Sequence, residues 1–520
     1  MKVERLYVTI LLCLLLPAQI LMLKKPIYPS HDALYHIERI NQFHQSLTLG
    51  QIPPRLAPTI INGLGYPLFV VNYQLPYYFA EIFMFPTQNP IFAFKATMSI
   101  SYLLSGIFAF LLFKNFGSNT ASLVGALLFN YLPYRFANLY TRGSLGESFS
   151  LMFIPLVLLA IHQISKKNGL AVLLLVLAIF GLITSHTVIF ILFIPFFIVY
   201  TILLVKLNLE AEIKIVFGFI LGILMSSFQL VPSIFEKKYL KFDQNLIDLY
   251  KSHFINFAQL LRIPLKGINT GTTFQIGLIS TFVILLSLIF FIRKRNLYLI
   301  FFLAFSIISI FATQKISLWF WKHFPLLYYI LYPWRFLSIV LLSTAYLSVY
   351  LVDQFKHKRI IAGVLILFTF YTSRHYFLKP TQFESNLPTA TLTTQNENDP
   401  IWSNSKTFIP RPLITSNSNI KIFNVNEKPF DVSFEAETDK TTNIVLRRMY
   451  FPGWKVKAND QEKLIIISDG LISFDLKPGS YQVKTYFIET PLRKTANLMT
   501  FGSFSILLSM FLLKLKFTLR

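Results

Sequence analysis

Long apolar runs separated by short polar connections dominate the chain. About twelve of them reach the roughly 17–25 residues that a helix needs to cross a hydrocarbon core. They centre on residues 6–23, 92–113, 119–137, 148–164, 170–187, 188–205, 214–232, 274–292, 297–313, 335–352, 360–377 and 496–513. This pattern predicts a polytopic α-helical membrane protein of about twelve transmembrane helices. The basic residues test the order of crossing. With both termini inside, the cytoplasmic connections hold Lys114, Lys166 and Lys167, Lys206 and Lys214, Arg293-Lys294-Arg295, Lys356, Lys358 and Arg359, and the tail Lys514, Lys516 and Arg520. That agrees with the positive-inside rule.

Two segments need a decision. Met1 to Pro26 has a basic start and an apolar stretch, as a signal peptide does. Leu23-Lys24-Lys25-Pro26 is a poor cleavage site, so 6–23 reads as a retained first helix. Residues 67–86 are apolar enough to count as a span, yet contain Pro67, Asn72, Gln74, Pro76, Glu81 and Pro86. Counting them would put Lys114 and Lys166/Lys167 on the wrong side. They read instead as an interfacial or re-entrant helix on the outer leaflet.

The longest non-spanning region is 378–495. Ile444 to Val456 and Lys463 to Ile488 alternate apolar and polar residues, with turn signals at Pro452-Gly453, Ser468-Asp469-Gly470 and Pro478-Gly479. This predicts a small antiparallel β-sandwich outside the membrane, with 378–420 less regular. The organisation is then a transmembrane domain over 1–377 with an outer loop at 24–91, a β-rich domain over 378–495, and a last helix and tail over 496–520.

Composition sharpens the class. Of 520 residues, 54% are hydrophobic and 14% charged, and the mean hydropathy is +0.56. A soluble protein carries about 25% charged residues, which excludes a soluble enzyme and a disordered chain. The net charge of +24 lies mainly between apolar runs, so it signals membrane topology and no nucleic-acid partner. Cys13 is the single cysteine, so no intramolecular disulfide and no multi-cysteine metal site can form.

The candidate chemistry gathers on the outer side. Ser30-His31-Asp32-Ala33-Leu34-Tyr35-His36-Ile37-Glu38-Arg39 reads as a helix start. Asp32, Tyr35, His36 and Arg39 then share one face. A carboxylate beside imidazoles and a guanidinium suits a general base or a metal ligand. Equally, Ser30 caps the helix and Asp32 suits its positive end. Arg55 follows Pro53-Pro54 and either grips a phosphate or anchors among headgroups. Arg142 and Glu147 lie in Asn138-Leu139-Tyr140-Thr141-Arg142-Gly143-Ser144-Leu145-Gly146-Glu147, where Ser144-x-x-Glu147 also reads as a capping box. His186 sits at an outer turn, as a site residue or a hydrogen-bonded turn residue. Arg335, in Tyr332-Pro333-Trp334-Arg335, opposes a helix dipole and calls for an anionic partner: Glu147, Asp32 or a lipid phosphate. These residues come from separate places that topology puts on one side. They form one pocket for an anionic, lipid-linked ligand, or they are independent interface residues.

The landmarks also resemble a family. His31-Asp32-x-x-x-His36, Ile52-Pro53-Pro54-Arg55, Gly65-Tyr66-Pro67 and Tyr73-x-x-Pro76-Tyr77-Tyr78 are similar to the first outer loop of the YfhO-like bacterial membrane proteins. Those overlap the family labelled 6-pyruvoyl-tetrahydropterin synthase-related. Tyr134-Arg135-x-x-Asn138-Leu139-Tyr140-x-Arg142-Gly143-x-x-x-Glu147, Ser185-His186, Pro333-Trp334-Arg335 and Tyr450-Phe451-Pro452-Gly453-Trp454 continue the resemblance. The soluble synthase itself needs a zinc site of three histidines, which no pattern here matches. The resemblance implies a GT-C-like glycosyltransferase that takes a sugar from a polyprenyl-phosphate carrier. By that carry-over Asp32 accepts the acceptor's proton or holds the acceptor. Arg55, Arg142 and Arg335 bind phosphate, and Glu147 is a second acid or the arginine partner. His31, His36, Arg39 and His186 complete the substrate-binding set. Many such enzymes have a second aspartate in this loop. Here no acidic residue follows until Glu38, which leans against a tightly held metal and leaves a loosely bound divalent ion compatible.

The expected function is sugar transfer to a cell-envelope glycan or lipid, among membrane lipids, at the outer face of a bacterial plasma (inner) membrane. The rival readings are a transporter or flippase of lipid-linked saccharides and a non-catalytic envelope scaffold. A transporter predicts polar residues near the midplane and matched broken helices, whereas the ionisable residues here stay at the outer ends.

Overall fold

The computed structural model describes all residues except 1, 25–26, 169, 207, 247, 262–273, 295, 377–395 and 519–520. Lys25-Pro26, Arg295, Arg520 and the stretch 378–395 of the expected β-rich domain lie outside the described residues.

Helices account for the apolar runs, but fewer of the described helices are long and apolar enough to cross than the pattern predicts. Among the described residues, six helices are long and apolar enough to span a membrane, or eight if each of two bent pairs is one span. The six are Val3–Leu23, Pro90–Phe113, Leu145–Ser165, Ala171–Val205, Pro333–Gln354 and Pro491–Lys514. The count of twelve falls short for local reasons. The run over 119–137 forms Asn119–Tyr131 and stops at Leu132, whose extended backbone precedes Pro133. Leu209–Met225 turns by 70° into Ser227–Phe235, and Leu297–Ala312 turns by 88° into Lys315–His323. Gly277–Arg293 has 17 residues and Lys358–Ser373 has 16. At about 1.5 Å per residue, the first sits at the lower limit for crossing a hydrocarbon core about 30 Å thick and the second falls below it.

The 35-residue helix Ala171–Val205 is two helical halves rather than one straight rod. His186 has extended backbone, with φ −166° and ψ 90°. Gly218 packs on the Leu175 side chain while its neighbour Phe219 meets Phe197 at 6.1 Å. Leu175 and Phe197 would stand about 33 Å apart on one straight helix. The halves therefore fold back on each other at His186, where the sequence pattern divides them. Leu75–Thr87 has 13 residues and rests against the helices Ala33–Thr48 and Pro90–Phe113. Its length of about 20 Å cannot cross, which agrees with a segment lying at one end of the bundle.

The polar region folds into two antiparallel sheets. Its strands are β1 (Ile414–Ser416), β2 (Lys421–Lys428), β3 (Asp431–Thr438), β4 (Thr442–Met449), β5 (Trp454–Ala458), β6 (Gln461–Lys463), β7 (Ile466–Ser468), β8 (Leu471–Leu476) and β9 (Gly479–Phe487). One sheet has the order β1-β4-β8-β7 and the other β2-β3-β9-β5-β6. The three turn signals fall at strand junctions, with positive φ at Gly453, Gly470 and Gly479. The inner faces meet in a core of alternating residues such as Val432, Phe434, Ile444, Leu446, Val456 and Phe474. β1 lies within 378–420, the stretch expected to be less regular.

The first loop joins sandwich to bundle. Leu56 is fully buried in the sandwich core, and the Met449 N–H donates to the Leu64 carbonyl at 2.7 Å. Arg55 belongs to this joint and not to a phosphate site. Its guanidinium is fully buried and donates to Glu489 at 2.9 Å, to the Phe228 carbonyl at 2.8 Å and to Asn497 at 3.2 Å. Arg493 pairs with Glu236 beside it, at 2.7 Å. The opposite end of the bundle carries Lys114 on Glu4, Lys166 on Asn115, Lys294 on Gln354, and Lys358 on Asp353.

Removing one partner of a buried ion pair costs about 3–5 kcal/mol. Arg55→Ala is expected to lower thermal stability in detergent on that scale, and to leave lipid-phosphate binding by the folded fraction unchanged. Normal stability with lost binding would return Arg55 to a ligand site.

Candidate functional site

The site is built around the turn that carries Arg142. Pro133–Phe136 runs into a widened π-type turn, Ala137–Arg142, which ends at Gly143. Such turns re-aim side chains and are frequent at functional sites. Gly143 has φ +64°, and a Cβ there would meet the Ala33 Cβ and the Ser30 hydroxyl at 2.8 Å. Only glycine lets the first loop come this close. The His31 and Asp32 N–H groups then donate to the Thr141 and Arg142 carbonyls, at 3.1 and 2.7 Å.

That docking places the helix Ala33–Thr48. The Ser30 hydroxyl accepts from the Ala33 N–H at 3.3 Å, so Ser30 acts at the helix start as the sequence suggests. The Asp32 side chain makes no capping bond. Its carboxylate is 28% exposed and lies 3.8 Å from the Arg142 guanidinium.

Beneath Arg142 lies Glu147, with no exposed side-chain surface. One carboxylate oxygen accepts from the Tyr134 hydroxyl and from Asn138 at 3.0 Å. The other accepts from Arg142 at 2.6 Å and from Arg335 at 3.4 Å. Ser144 makes no side-chain cap. The capping-box reading therefore fails, because Glu147 turns towards the two arginines. Of its two implied roles, Glu147 takes that of arginine partner. Burial opposes the Arg142 charge, but Glu147 and Asp32 outweigh it and raise its pKa.

A cavity of about 250 Å³ opens over this layer. Asp32, His36, Arg39, Arg142, His186 and Arg335 all line it. Six predicted residues from four separate segments thus meet in one place. Glu147 supports the floor without lining it. His31 and Arg55 are not among the lining residues. His186 is fixed by its own helix break: Nδ1 accepts from the Ile189 N–H at 3.3 Å.

Several lining groups escape the sequence reading. Tyr73 lines the cavity and stacks at 5.7 Å on the buried Tyr77; the two bracket His36, whose Nδ1 is 3.0 Å from the Tyr77 hydroxyl and whose Nε2 is 3.4 Å from that of Tyr73. The Tyr73 oxygen also accepts from the Gly146 N–H at 3.1 Å. Burial first, then the Arg39 and Arg142 charges, hold the His36 pKa well below the ordinary histidine value. His36 is therefore neutral, with one ring nitrogen donating and the other accepting. Arg39 hydrogen-bonds the Tyr77 hydroxyl. Glu397 and Asn398 reach in from the sandwich side, and Phe242, Leu246 and Leu331 give an apolar wall. Only the spacing of Tyr134, Asn138 and Arg142, four apart, signals the Glu147 cradle in sequence.

A divalent metal fits this donor set poorly. The lining carries three arginines, and no three His, Cys, Asp or Glu side chains gather as metal ligands among the described residues.

Comparison with known proteins places the chain. Residues 71–377 match the family model described as a 6-pyruvoyl-tetrahydropterin synthase related domain, membrane protein. The chain belongs to that family. Arg142, Glu147, His186 and Arg335 fall inside the matched residues, whereas Asp32, His36 and Arg39 precede them. A relative in Lactococcus lactis subsp. cremoris (strain MG1363), described as an uncharacterized protein, is 27% identical over 311 residues. The match takes in 56% of this chain and 51% of the relative, so the chain spans about half the relative's length. Among solved structures, the apo oligosaccharyltransferase of Archaeoglobus fulgidus aligns with 72% of this chain and 55% of its own. The identity is 10% and the TM-score 0.42, too low to fix the fold or the activity.

Two outcomes test this geometry. Glu147→Gln leaves two buried guanidinium groups without their charge partner and should cost about 3–5 kcal/mol in detergent denaturation. Little loss would show that Glu147 does not hold the floor. His36 gives the pH test. Its pKa is lower folded than unfolded, so its contribution is complete above about pH 6.5 and falls as the pH drops below that value. The His36→Gln variant should show a shallower loss of stability between pH 6.5 and 5. Identical slopes would mean that His36 protonates freely in the fold.

Proposed function

We propose that the chain is a membrane glycosyltransferase that moves a sugar from a polyprenyl-phosphate carrier to a cell-envelope glycan or lipid. The observation that carries this reading is one partly exposed carboxylate, Asp32, 3.8 Å from Arg142 in a pocket lined by two further arginines. Sugar transfer asks for that pairing of groups. The acceptor hydroxyl attacks the anomeric carbon, and its proton passes to an Asp32 oxygen. The bond from that carbon to the phosphate oxygen breaks, and its electron pair leaves with the polyprenyl phosphate. Arg142, Arg335 and Arg39 stand where the charge on that leaving group grows. A phosphate competes with Asp32 for Arg142 and so frees the carboxylate for the proton.

Glu147 is a positioning residue here: it fixes the two arginines and touches no reacting atom. The apolar wall of Phe242, Leu246 and Leu331 suits the first isoprenyl units of a carrier. The pocket and the sandwich lie at the end away from Lys114, Lys166, Lys294 and Lys358. The positive-inside rule assigns the lysine end to the cytoplasm, so the pocket opens outside a bacterial plasma membrane. The mechanism uses no tightly held cofactor, and a divalent ion arriving with the phosphate is compatible with it.

The test compares purified wild type with Asp32→Asn, following radiolabelled sugar leaving a polyprenyl-phosphate donor in an envelope lipid extract. Loss of a general base should slow transfer by about 10²–10⁴-fold. Equal transfer would remove Asp32 as the base. Binding of the donor without transfer by either protein would favour a lipid-saccharide carrier.

A further inference from the structure

A second feature lies on the sandwich and shares no lining residue with the pocket. The five-stranded sheet turns one side to the sandwich core. Val432, Phe434 and Ala436 of β3, Val483 of β9, and Val456 and Ala458 of β5 are buried there. The alternate residues therefore project from the opposite side. Strand pairing sets them in rows: Asp431, Tyr486 and Lys455; then Ser433, Lys484 and Lys457; then Glu435 and Gln482. With strands about 4.8 Å apart, these polar groups form a grid that several hydroxyls can meet at once.

A groove of about 780 Å³ lies over this side, with Asn424 of β2 and the Asn459-Asp460 turn at its margins. β2 is an edge strand, and a bulge between Phe423 and Asn426 bends it. Asn424, in that bulge, has φ +54°. At the other margin the Asn459 side chain accepts from the Gln482 N–H at 2.7 Å and donates to the Ser480 carbonyl at 3.0 Å. Both margins are thus set by the backbone.

The groove holds groups that the fold does not use. Glu435 and Lys457 are half-buried, and neither side chain has a hydrogen-bond or ion-pair partner among the described residues. Asp431, by contrast, meets Lys484 at 3.5 Å. Phe430 and Phe487 pack against the sandwich core, whereas the Tyr486 ring lies outside it. The lining carries the acids Asp431, Glu435 and Asp460 and the bases Lys457 and Lys484. It is close to neutral in a chain of net charge +24. A phosphate polymer or an anionic lipid surface calls for an excess of cations. A protein partner calls for an apolar centre depleted of charge. Carboxylates that accept, lysines that donate, and a serine and an amide that do both suit an uncharged polyhydroxylated chain. Tyr486 offers a ring for the apolar face of one sugar.

We propose that this side of the β2-β3-β9-β5-β6 sheet binds an uncharged glycan strand, with Glu435 and Lys457 hydrogen-bonding its hydroxyls and Tyr486 stacking on one ring. The site is separate from the pocket and stands whether or not the pocket transfers sugar.

The test measures binding of the purified full chain, in detergent, to an array of bacterial envelope glycans that holds neutral hexose oligosaccharides and phosphate-bearing polymers. Wild type should bind at least one neutral oligosaccharide more tightly than any phosphate polymer. Glu435→Ala should weaken that glycan by about tenfold, the effect of one charged hydrogen bond. Lys457→Ala reads the same effect from a second strand, and Tyr486→Ala should weaken binding at least as much. Glu437→Ala, further along β3 and outside the groove, should bind as wild type does. Unchanged thermal unfolding of the Glu435 and Lys457 variants would show that the loss belongs to the site. Wild-type binding by both of those variants would overturn the proposal. So would a preference for phosphate polymers, or a wild type that binds no neutral glycan. Loss of the glycan on Arg335→Gln but not on Glu435→Ala would move it to the pocket and also overturn it.

Discussion

The site depends on a single buried carboxylate. Glu147 has no contact with solvent, and its two oxygens receive a phenol, an amide and two guanidinium groups. Arginines at the end of an apolar bundle are costly unless an anion meets them. Glu147 removes that cost for Arg142 and Arg335 together. Two cations on one anion leave one positive charge in excess, directed at the cavity. Asp32 balances part of it from 3.8 Å away. The pocket is thus neutralised in its resting form by a group that an anionic ligand can displace.

Charge alone does not build this arrangement, because the first loop must come within van der Waals distance of the Arg142 turn. Two glycines permit it. Gly143 takes a left-handed conformation directly under Ala33, and a Cβ on Gly146 would lie 2.2 Å from the Tyr73 ring. The same approach brings Tyr73 to the Gly146 N–H and aligns Tyr73, His36 and Tyr77. Close backbone packing and the hydrogen-bonded wall of the pocket have one cause.

Much of this is legible in the sequence, and what is not has identifiable reasons. Hydrophobic runs locate the helices because burial in lipid acts on every residue of a span. They give more runs than there are long straight helices among the described residues, because a mean over 17–25 residues does not register Leu132-Pro133 or a bend of 70° at Ser226. Alternation and turn residues locate the sandwich strands, since both are local. The spacing of Asp32, His36 and Arg39 places them on one face, and the structure keeps them together on the cavity. Arg55 shows the limit: a stiff, basic position carries no sign of Glu489, 434 residues later. Ser144-x-x-Glu147 shows another. The same spacing serves a capping box or a buried ion cluster, and only the approach of Arg335 from a distant helix decides between them. Glu397 lies in an irregular stretch with no periodicity to read.

The order of assembly follows from where the partners lie along the chain. The first loop supplies Asp32, His36 and Arg39 to the pocket, Leu56 to the sandwich core and Tyr66 to the strap that carries Glu397. Arg55, in the same loop, fixes the start of the last helix through Glu489 and Asn497. The contacts of this loop with the sandwich, the strap and the last helix span up to 442 residues of sequence, so they cannot persist before the sandwich has docked. The cavity floor is different. Tyr134, Asn138, Arg142 and Glu147 lie within 13 residues of one another, and they can meet as soon as their helices pack. The floor belongs to the bundle, and one wall belongs to the docked sandwich. A change at the sandwich joint, far from Asp32, therefore reaches the pocket through the first loop, by moving the wall while the arginine layer stays in place.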